Sequence, residues 1–413
     1  GEGRFSSFDE AFFNHLKSLG ADAVWYTGIP RHASGEDFVK GNPGSPYAIS
    51  DYFDTNPYLA DDPSGRMEEF EDLVRRTHEA GLKVITDLVP NHVAPGCVNP
   101  IPVLDRWDYD WTDTRKVDWS DSRTLPFMAE VIRFWASKGV DGFRCDMVEL
   151  VPLEAMAALI RTCREENPGL LFISEVYAPL SYAAYAGAGF DLIYDKSGFY
   201  DIARAILGGG CSARQLTYNW QRLGPLQGRM LNFLENHDEQ RLASRAFAGS
   251  PSRGYAAMAV AALFNEASVM LYFGQEAGEA AAESPDGRTS IFNFCHPATA
   301  DRLWRELHGE SALLPQERNT LVRYRDLMSM AAREPFRSGR NYDLGWCQRD
   351  GFDPDRHFAF VRYGGGITSI VACIFSAEPA RVVLHLPDGE SFPAGTLELQ
   401  VAPWDYTVEI INP

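Results

Sequence analysis

A chain of 413 residues is too long for one ordinary hydrophobic core and suits a large barrel followed by a smaller domain. Hydrophobic residues make up 45% and charged residues 23%, the profile of a soluble globular protein. The formal net charge of -19 argues against a nucleic-acid partner, which would want clustered Lys and Arg, and reads as a solvated acidic surface.

In chain order, hydrophobic periodicity predicts a helix over 8–19 and a strand over 21–27. A helix over 66–80 follows, ended by Gly81, and then a strand over 83–89. Further helices are expected over 126–138 and 153–166, each followed by a strand, at 140–144 and 170–175. Apolar runs at 190–194, 229–234 and 268–273 complete a series of seven strands. Few polar positions alternate within them, so both faces are expected to be buried, as in a parallel sheet wrapped by helices. Repeated strand–helix units predict an α/β fold, a (β/α)8 barrel over 1–334 with a short excursion at about 93–125. An eighth strand would precede Gly1 or be missing from this copy. After residue 335 short β-rich runs at 357–363, 367–375, 381–386 and 396–401 predict a C-terminal antiparallel β-sandwich domain over 335–413.

Seven scattered cysteines with no Cys-x-x-Cys pair argue against zinc ligation. No stretch approaches the run of about 20 apolar residues that a membrane span needs. The expectation is a soluble protein, cytoplasmic or periplasmic, with no membrane partner; its oligomeric state is not encoded in any pattern read here. Glycine runs at 208–210 and 364–366 lack the strand–helix context of a phosphate-binding loop.

Barrel enzymes place their chemistry at the C-terminal ends of strands. Four strands here run into polar residues. The strand over 83–89 carries Asp87 and leads to Asn91 and His92. The strand over 140–144 leads through Arg144 to Asp146, the strand over 170–175 ends on Glu175, and the strand over 229–234 leads to Asn236, His237 and Asp238. Any one such acid is commonly a helix cap or turn residue. Several at one barrel mouth point instead to glycoside cleavage, which needs a carboxylate nucleophile and a carboxylic acid for the leaving oxygen. Arg144, two residues from Asp146 on the same strand face, would hold that carboxylate ionised. A third carboxylate can bind hydroxyls and raise the acid's proton affinity, and the two histidines can donate to sugar hydroxyls.

These segments also resemble those of the α-amylase family, glycoside hydrolase family 13. DLVPNHV at 87–93, GFRCDMVEL at 142–150, SEV at 174–176 and ENHDEQ at 235–240 are similar, in order and spacing, to four signature segments of that family. GSPYAISDYFDTNP at 44–57 and MLYFGQEAGE at 270–279 resemble two more. The resemblance implies Asp146 as nucleophile, Glu175 as acid/base and Asp238 as transition-state stabiliser. It implies Arg144, His92 and His237 as sugar-binding residues, Tyr47 as a stacking residue and Asp87 as support from behind. The implied reaction is retaining cleavage of α-1,4-glucosidic bonds in starch-like glucans or maltooligosaccharides. The alternatives are a transglycosidase or α-glucosidase of the same family, and a non-catalytic glycan-binding protein on the same fold.

The chain departs from the family in two places. Where relatives often carry Lys-His, this chain has Glu149 and Leu150. The stretch between His92 and Asp141 is short, although family members usually carry an inserted domain there that helps bind calcium. Asn91 matches one calcium-ligand position; no cofactor is expected to be required, and calcium is admitted rather than expected. Trp107, Tyr109, Trp111 and Trp119 in the short stretch read either as loop packing or as sugar-stacking surfaces.

Overall fold

The structure, a computed structural model, describes residues 3–35, 44–289 and 295–411. It divides into two compact units, the first reaching to Tyr194 and the second running from Asp195 to Thr289 and from His296 onward.

The first unit opens on helix α1 (Glu10–Ser18), capped by the Asp9 carboxylate, which accepts from the Phe12 amide at 3.1 Å. Strand β1 (Ala23–Tyr26) follows. Strands β2 (Pro30–His32) and β3 (Ile49–Thr55) form a small antiparallel ribbon that the periodicity did not signal. Helix α2 (Arg66–Glu79) buries Phe70, Leu73, Val74 and Thr77, the spacing of a single helical face, and leads into β4 (Lys83–Leu88). Strands β5 (His92–Val93), β6 (Val103–Leu104) and β7 (Arg115–Val117) make a second small antiparallel sheet within the excursion. Helix α3 (Thr124–Ser137) then precedes β8 (Gly142–Cys145), α4 (Leu153–Glu166) precedes β9 (Leu171–Ser174), and α5 (Tyr182–Ala188) precedes β10 (Leu192–Tyr194).

Within this unit the long-range pairing is parallel, in the order β1-β4-β8-β9-β10. Every residue of β8 is buried, and so is every residue of β4 after Lys83, as expected for strands covered on both faces. Register fixes the chemistry: Asp87 lies beside Arg144, and Arg144 beside Ile173. The close spacing demands glycine at 142, where a Cβ would come within 2.7 Å of the Leu171 carbonyl oxygen and 2.8 Å of Ile85 Cδ1.

The second unit contains helices α6 (Asp201–Leu207), α7 (Arg214–Leu223), α8 (Tyr255–Leu263), α9 (Ala298–Leu307) and α10 (Pro315–Ala331). Its strands β11 (Met230–Asn232) and β12 (Ser268–Val269) pair in parallel. Parallel strands therefore number seven among the described residues, the number read from the sequence.

At the end of the chain β13 (Arg340–Asp343), β14 (His357–Gly364) and β15 (Ile367–Ile374) form one antiparallel sheet, which β18 (Tyr406–Ile411) completes beside β15. Between them in sequence, β16 (Ala380–Leu386) pairs with β17 (Gly395–Val401). Val361, Ile370, Ala372 and Ile374 from the larger sheet share one core with Val382, Leu384, Leu399 and Val401 from the smaller. This is two-layer sheet packing. The outer strands β13 and β18 were not among the expected ones.

Candidate active site

Three strand ends in the first unit converge on one buried arginine. Arg144, on β8, is wholly buried, and its Nη1 donates to Asp146 Oδ1 at 2.7 Å and to Asp87 Oδ1 at 3.2 Å. Its Nη2 stands 2.7 Å from Glu175 Oε1. The guanidinium thus binds three acids that are themselves buried: Asp87 at 4% exposure, Asp146 at 5% and Glu175 at 3%. Desolvation works against the arginine's charge, but the carboxylates, Glu175 foremost, outweigh it and raise its pKa. A cation held in this way keeps its acids affordable in a low-dielectric setting.

Aromatic rings close around the same group. The Arg144 guanidinium carbon lies 5.2 Å from the Trp25 ring centre and 5.6 Å from those of Tyr47 and Tyr194. Trp25 Nε1 also donates to Asp87 Oδ2 at 3.3 Å. Glu175 has further donors: the Tyr177 hydroxyl gives to its Oε1 at 2.6 Å, and the Met147 amide to its Oε2 at 2.7 Å. Met147, directly after Asp146, has a φ of 44°, an uncommon conformation for a side-chain-bearing residue. The conformation accompanies the aim of its amide at Glu175.

Asn91 and His92 follow β4. Asn91 Nδ2 lies 3.2 Å from His92 Nδ1, and the His92 ring sits 5.3 Å from that of Trp111, which in turn packs against Tyr109 at 4.9 Å. Trp119 donates from Nε1 to the Pro90 carbonyl at 2.9 Å, so it packs as a structural ring, whereas Trp107 and Tyr109 are exposed. Asn91 and Lys116 both donate to Asp108 Oδ2, at 2.9 Å and 2.7 Å. Burial would raise the Asp108 carboxyl, yet these donors hold it below the usual range. Glu149, in the place where relatives often carry lysine, accepts from the backbone amides of Tyr177 and Ala178, each at 3.0 Å. It fixes the loop directly after Glu175.

His237 and Asp238 belong to the second unit, after β11. His237 is buried, and its Nε2 lies 3.1 Å from Asp238 Oδ2, while the Asp238 side chain is about half exposed. The Asn236 side chain accepts from the amides of Asp238 and Glu239, at 2.9 Å and 2.8 Å, and shapes this turn. Behind it, buried Glu235 accepts from Arg241 Nη1 and from the Leu242 amide, both at 2.8 Å, and Arg241 stacks 3.9 Å from the Tyr272 ring centre. Burial pushes Glu235 up to about 7, with Arg241 pulling the other way.

The structure therefore gathers Asp87, Arg144, Asp146, Glu175 and Tyr47 in the first unit, with His92 on the segment after β4. Trp25, Tyr177, Tyr194 and the Met147 amide were not singled out from the sequence. A signal existed for Tyr177, which lies two residues beyond Glu175 and thus on the same side of an extended chain. Trp25 likewise lies within the first expected strand, over 21–27, one residue before the end of β1.

Residues 12–99 match the family model described as the α-amylase catalytic domain. "Alpha-amylase MalA" of Haloarcula japonica is 26% identical over 96% of this chain and 56% of its own length. "Neopullulanase 2" of Thermoactinomyces vulgaris is 26% identical over 66% of this chain and 49% of its own. The chain thus spans about half the length of the curated relatives it matches. Among solved structures, a noncanonic maltogenic α-amylase AmyB from Thermotoga neapolitana superposes with a TM-score of 0.71 at 25% identity, covering 99% of this chain and 92% of that one. The fold class is α/β, the (β/α)8 barrel with a C-terminal antiparallel β domain, as the strand series predicts.

Proposed function

Because the chain belongs to the α-amylase family, we propose that it cleaves α-1,4-glucosidic bonds in starch-like glucans or maltooligosaccharides with retention of configuration. The observation that supports this most directly is the single guanidinium of Arg144 set against both Asp146 and Glu175. It brings the two carboxyl groups to one guanidinium, and a retaining mechanism needs its two carboxyls near each other, about 5 Å apart.

In the first step an Asp146 oxygen attacks the anomeric carbon as the bond to the leaving sugar breaks. The Glu175 proton passes to the leaving oxygen. In the second, Glu175 takes a proton from water, the hydroxide oxygen bonds to the anomeric carbon, and the Asp146 ester breaks. Two inversions restore the starting configuration. Arg144 is wholly buried, so its part is to orient Asp146 and Glu175. Asp87 balances that arginine, and Tyr47 supplies a ring beside it. The family resemblance gives Asp238 the stabilising role and His92 and His237 the binding of hydroxyls. The substrate partner is an α-glucan. We propose 334/335, as the change in sequence character suggests, for the boundary between the barrel and the C-terminal β domain.

Chromatography of products from maltooligosaccharides and soluble starch, with α-anomer detection by NMR, tests the reading. Asp146→Asn is expected to lose at least about 10³-fold in kcat, and Glu175→Gln about 10²–10⁴-fold. Arg144→Lys keeps the charge, but it loses the rigid fork whose two nitrogens stand separately against Asp146 and Glu175, and a loss of about 10²-fold is expected. Full activity in Asp146→Asn would rule out the nucleophile, and a β-anomer first product would rule out retention. Longer oligosaccharides accumulating from maltotriose would replace hydrolysis with transfer.

A further inference from the structure

Lys116, at the middle of β7, lies in a cradle of three oxygens from three separate segments. Its Nζ donates to Asn91 Oδ1 at 2.7 Å, to Asp108 Oδ2 at 2.7 Å and to the Leu150 carbonyl at 3.1 Å. An ammonium has three N–H donors and no acceptor, so three acceptors match it in number. The group is largely withdrawn from solvent, its side chain 12% exposed and that of Asp108 20%. Asn91 is fully buried, and its remaining polar atom, Nδ2, is turned toward Asp108.

Asn91 is also the residue that resembles a calcium ligand of the family. The cradle does not fit that ion. Calcium takes six to eight oxygens at about 2.3–2.6 Å. Here one carboxylate and two neutral carbonyls surround a fixed positive charge, and a second cation beside it would be repelled without added ligands.

We infer that Lys116 is a built-in cation, doing for the Asn91–Asp108–Leu150 cluster the bridging that a calcium ion would otherwise do, so that this site takes no divalent metal. The lysine ties the segment after β4, the excursion, and the segment after β8 to one point. The tie bears on the candidate active site because Lys116 is the register partner of His92 and because Leu150 adjoins Glu149, which holds the loop after Glu175. Lys116 is thus a positioning residue for His92, not a catalytic one. The family's inserted domain is shortened here, and the anchoring charge is carried within the short sheet that remains.

The test uses thermal melting, and so stands apart from whether the cleavage reaction is assigned correctly. The purified chain is melted in excess EDTA and in millimolar calcium chloride, beside Lys116→Met and Lys116→Arg. The wild-type midpoint is expected to be the same in both solutions. Lys116→Met should melt at least about 3 °C lower in EDTA, with Lys116→Arg falling less. If Lys116→Met cannot be purified folded, calorimetric titration of the wild type with calcium chloride decides alone. The absence of a site that depends on Asn91 supports the inference, and one-to-one calcium binding that Asn91→Ala abolishes overturns it. A wild-type midpoint that drops in EDTA and returns with calcium overturns it also, as does a Lys116→Met midpoint equal to that of the wild type. On maltooligosaccharides the methionine variant should raise KM more than it lowers kcat, because His92 is displaced while Asp146 and Glu175 keep Arg144.

Discussion

Two buried arginine–carboxylate groups in this protein are built from similar side chains and put to different uses. Arg144 is shared among Asp87, Asp146 and Glu175, so no single acid claims it. Arg241 is committed to Glu235 and to the ring of Tyr272, and also donates to Thr289 Oγ1 at 2.6 Å. The first arrangement orients reacting groups and the second braces a turn. The brace has a pH signature. Burial raises Glu235 to about 7 in the folded chain, above the ordinary carboxylate range of the unfolded one. Its contribution to stability is therefore full below the unfolded pKa and is lost as pH rises through about 7. Melting curves over roughly pH 5–8 should fall less steeply for Glu235→Gln than for the wild type. At the acid end the variant should melt near the wild type, since Glu235 is protonated there and Gln replaces one neutral group with another. Equal slopes would show that Glu235 is ionised throughout.

At the scale of elements, spacing between parallel strands is set by what glycine leaves out. Gly142 lets β8 lie close to Leu171 of β9 and to Ile85 of β4, and that closeness delivers Arg144 beside Asp87. Gly142→Ala should cost about 1–3 kcal/mol by overpacking, seen as a lower midpoint in chemical denaturation. An unchanged midpoint would mean that the strands part freely there. Strands β4, β8 and β9 were legible because both their faces are apolar and a charged residue ends each run. Strands β4 and β9 stop one residue short of the expected runs, at Leu88 and Ser174, so Glu175 lies just outside β9, whereas β8 begins two residues later than expected and runs one residue further, to Cys145, directly before Asp146. The ribbon of β2 and β3 and the sheet of β5, β6 and β7 were not legible. Their members are two to seven residues long and are defined by pairing partners far along the chain, which local periodicity does not record. The candidate site was read through its acids and histidines; Trp25, Tyr194 and Lys116 act through contacts that only the fold creates.

At the scale of the whole molecule, the charge of -19 is spread over 413 residues and makes the compact state work against its own repulsion. Raising sodium chloride from about 0.05 to 0.5 M shortens the screening length severalfold and should raise the melting midpoint by a few degrees. A midpoint that falls would show that attractive surface pairs, such as Arg133 with Glu166 at 2.7 Å, outweigh the net repulsion. Among the described residues no helix is long and apolar enough to cross a membrane. One consequence belongs to Lys116 alone. A bound ion equilibrates with its surroundings, so the intact fraction of an ion-braced protein declines as the ion becomes scarce. A charge attached through four methylenes to the backbone has no dissociation constant and no free pool. Held that way, the brace is inherited with each copy of the chain, and dilution or competition from stronger chelators has nothing to remove.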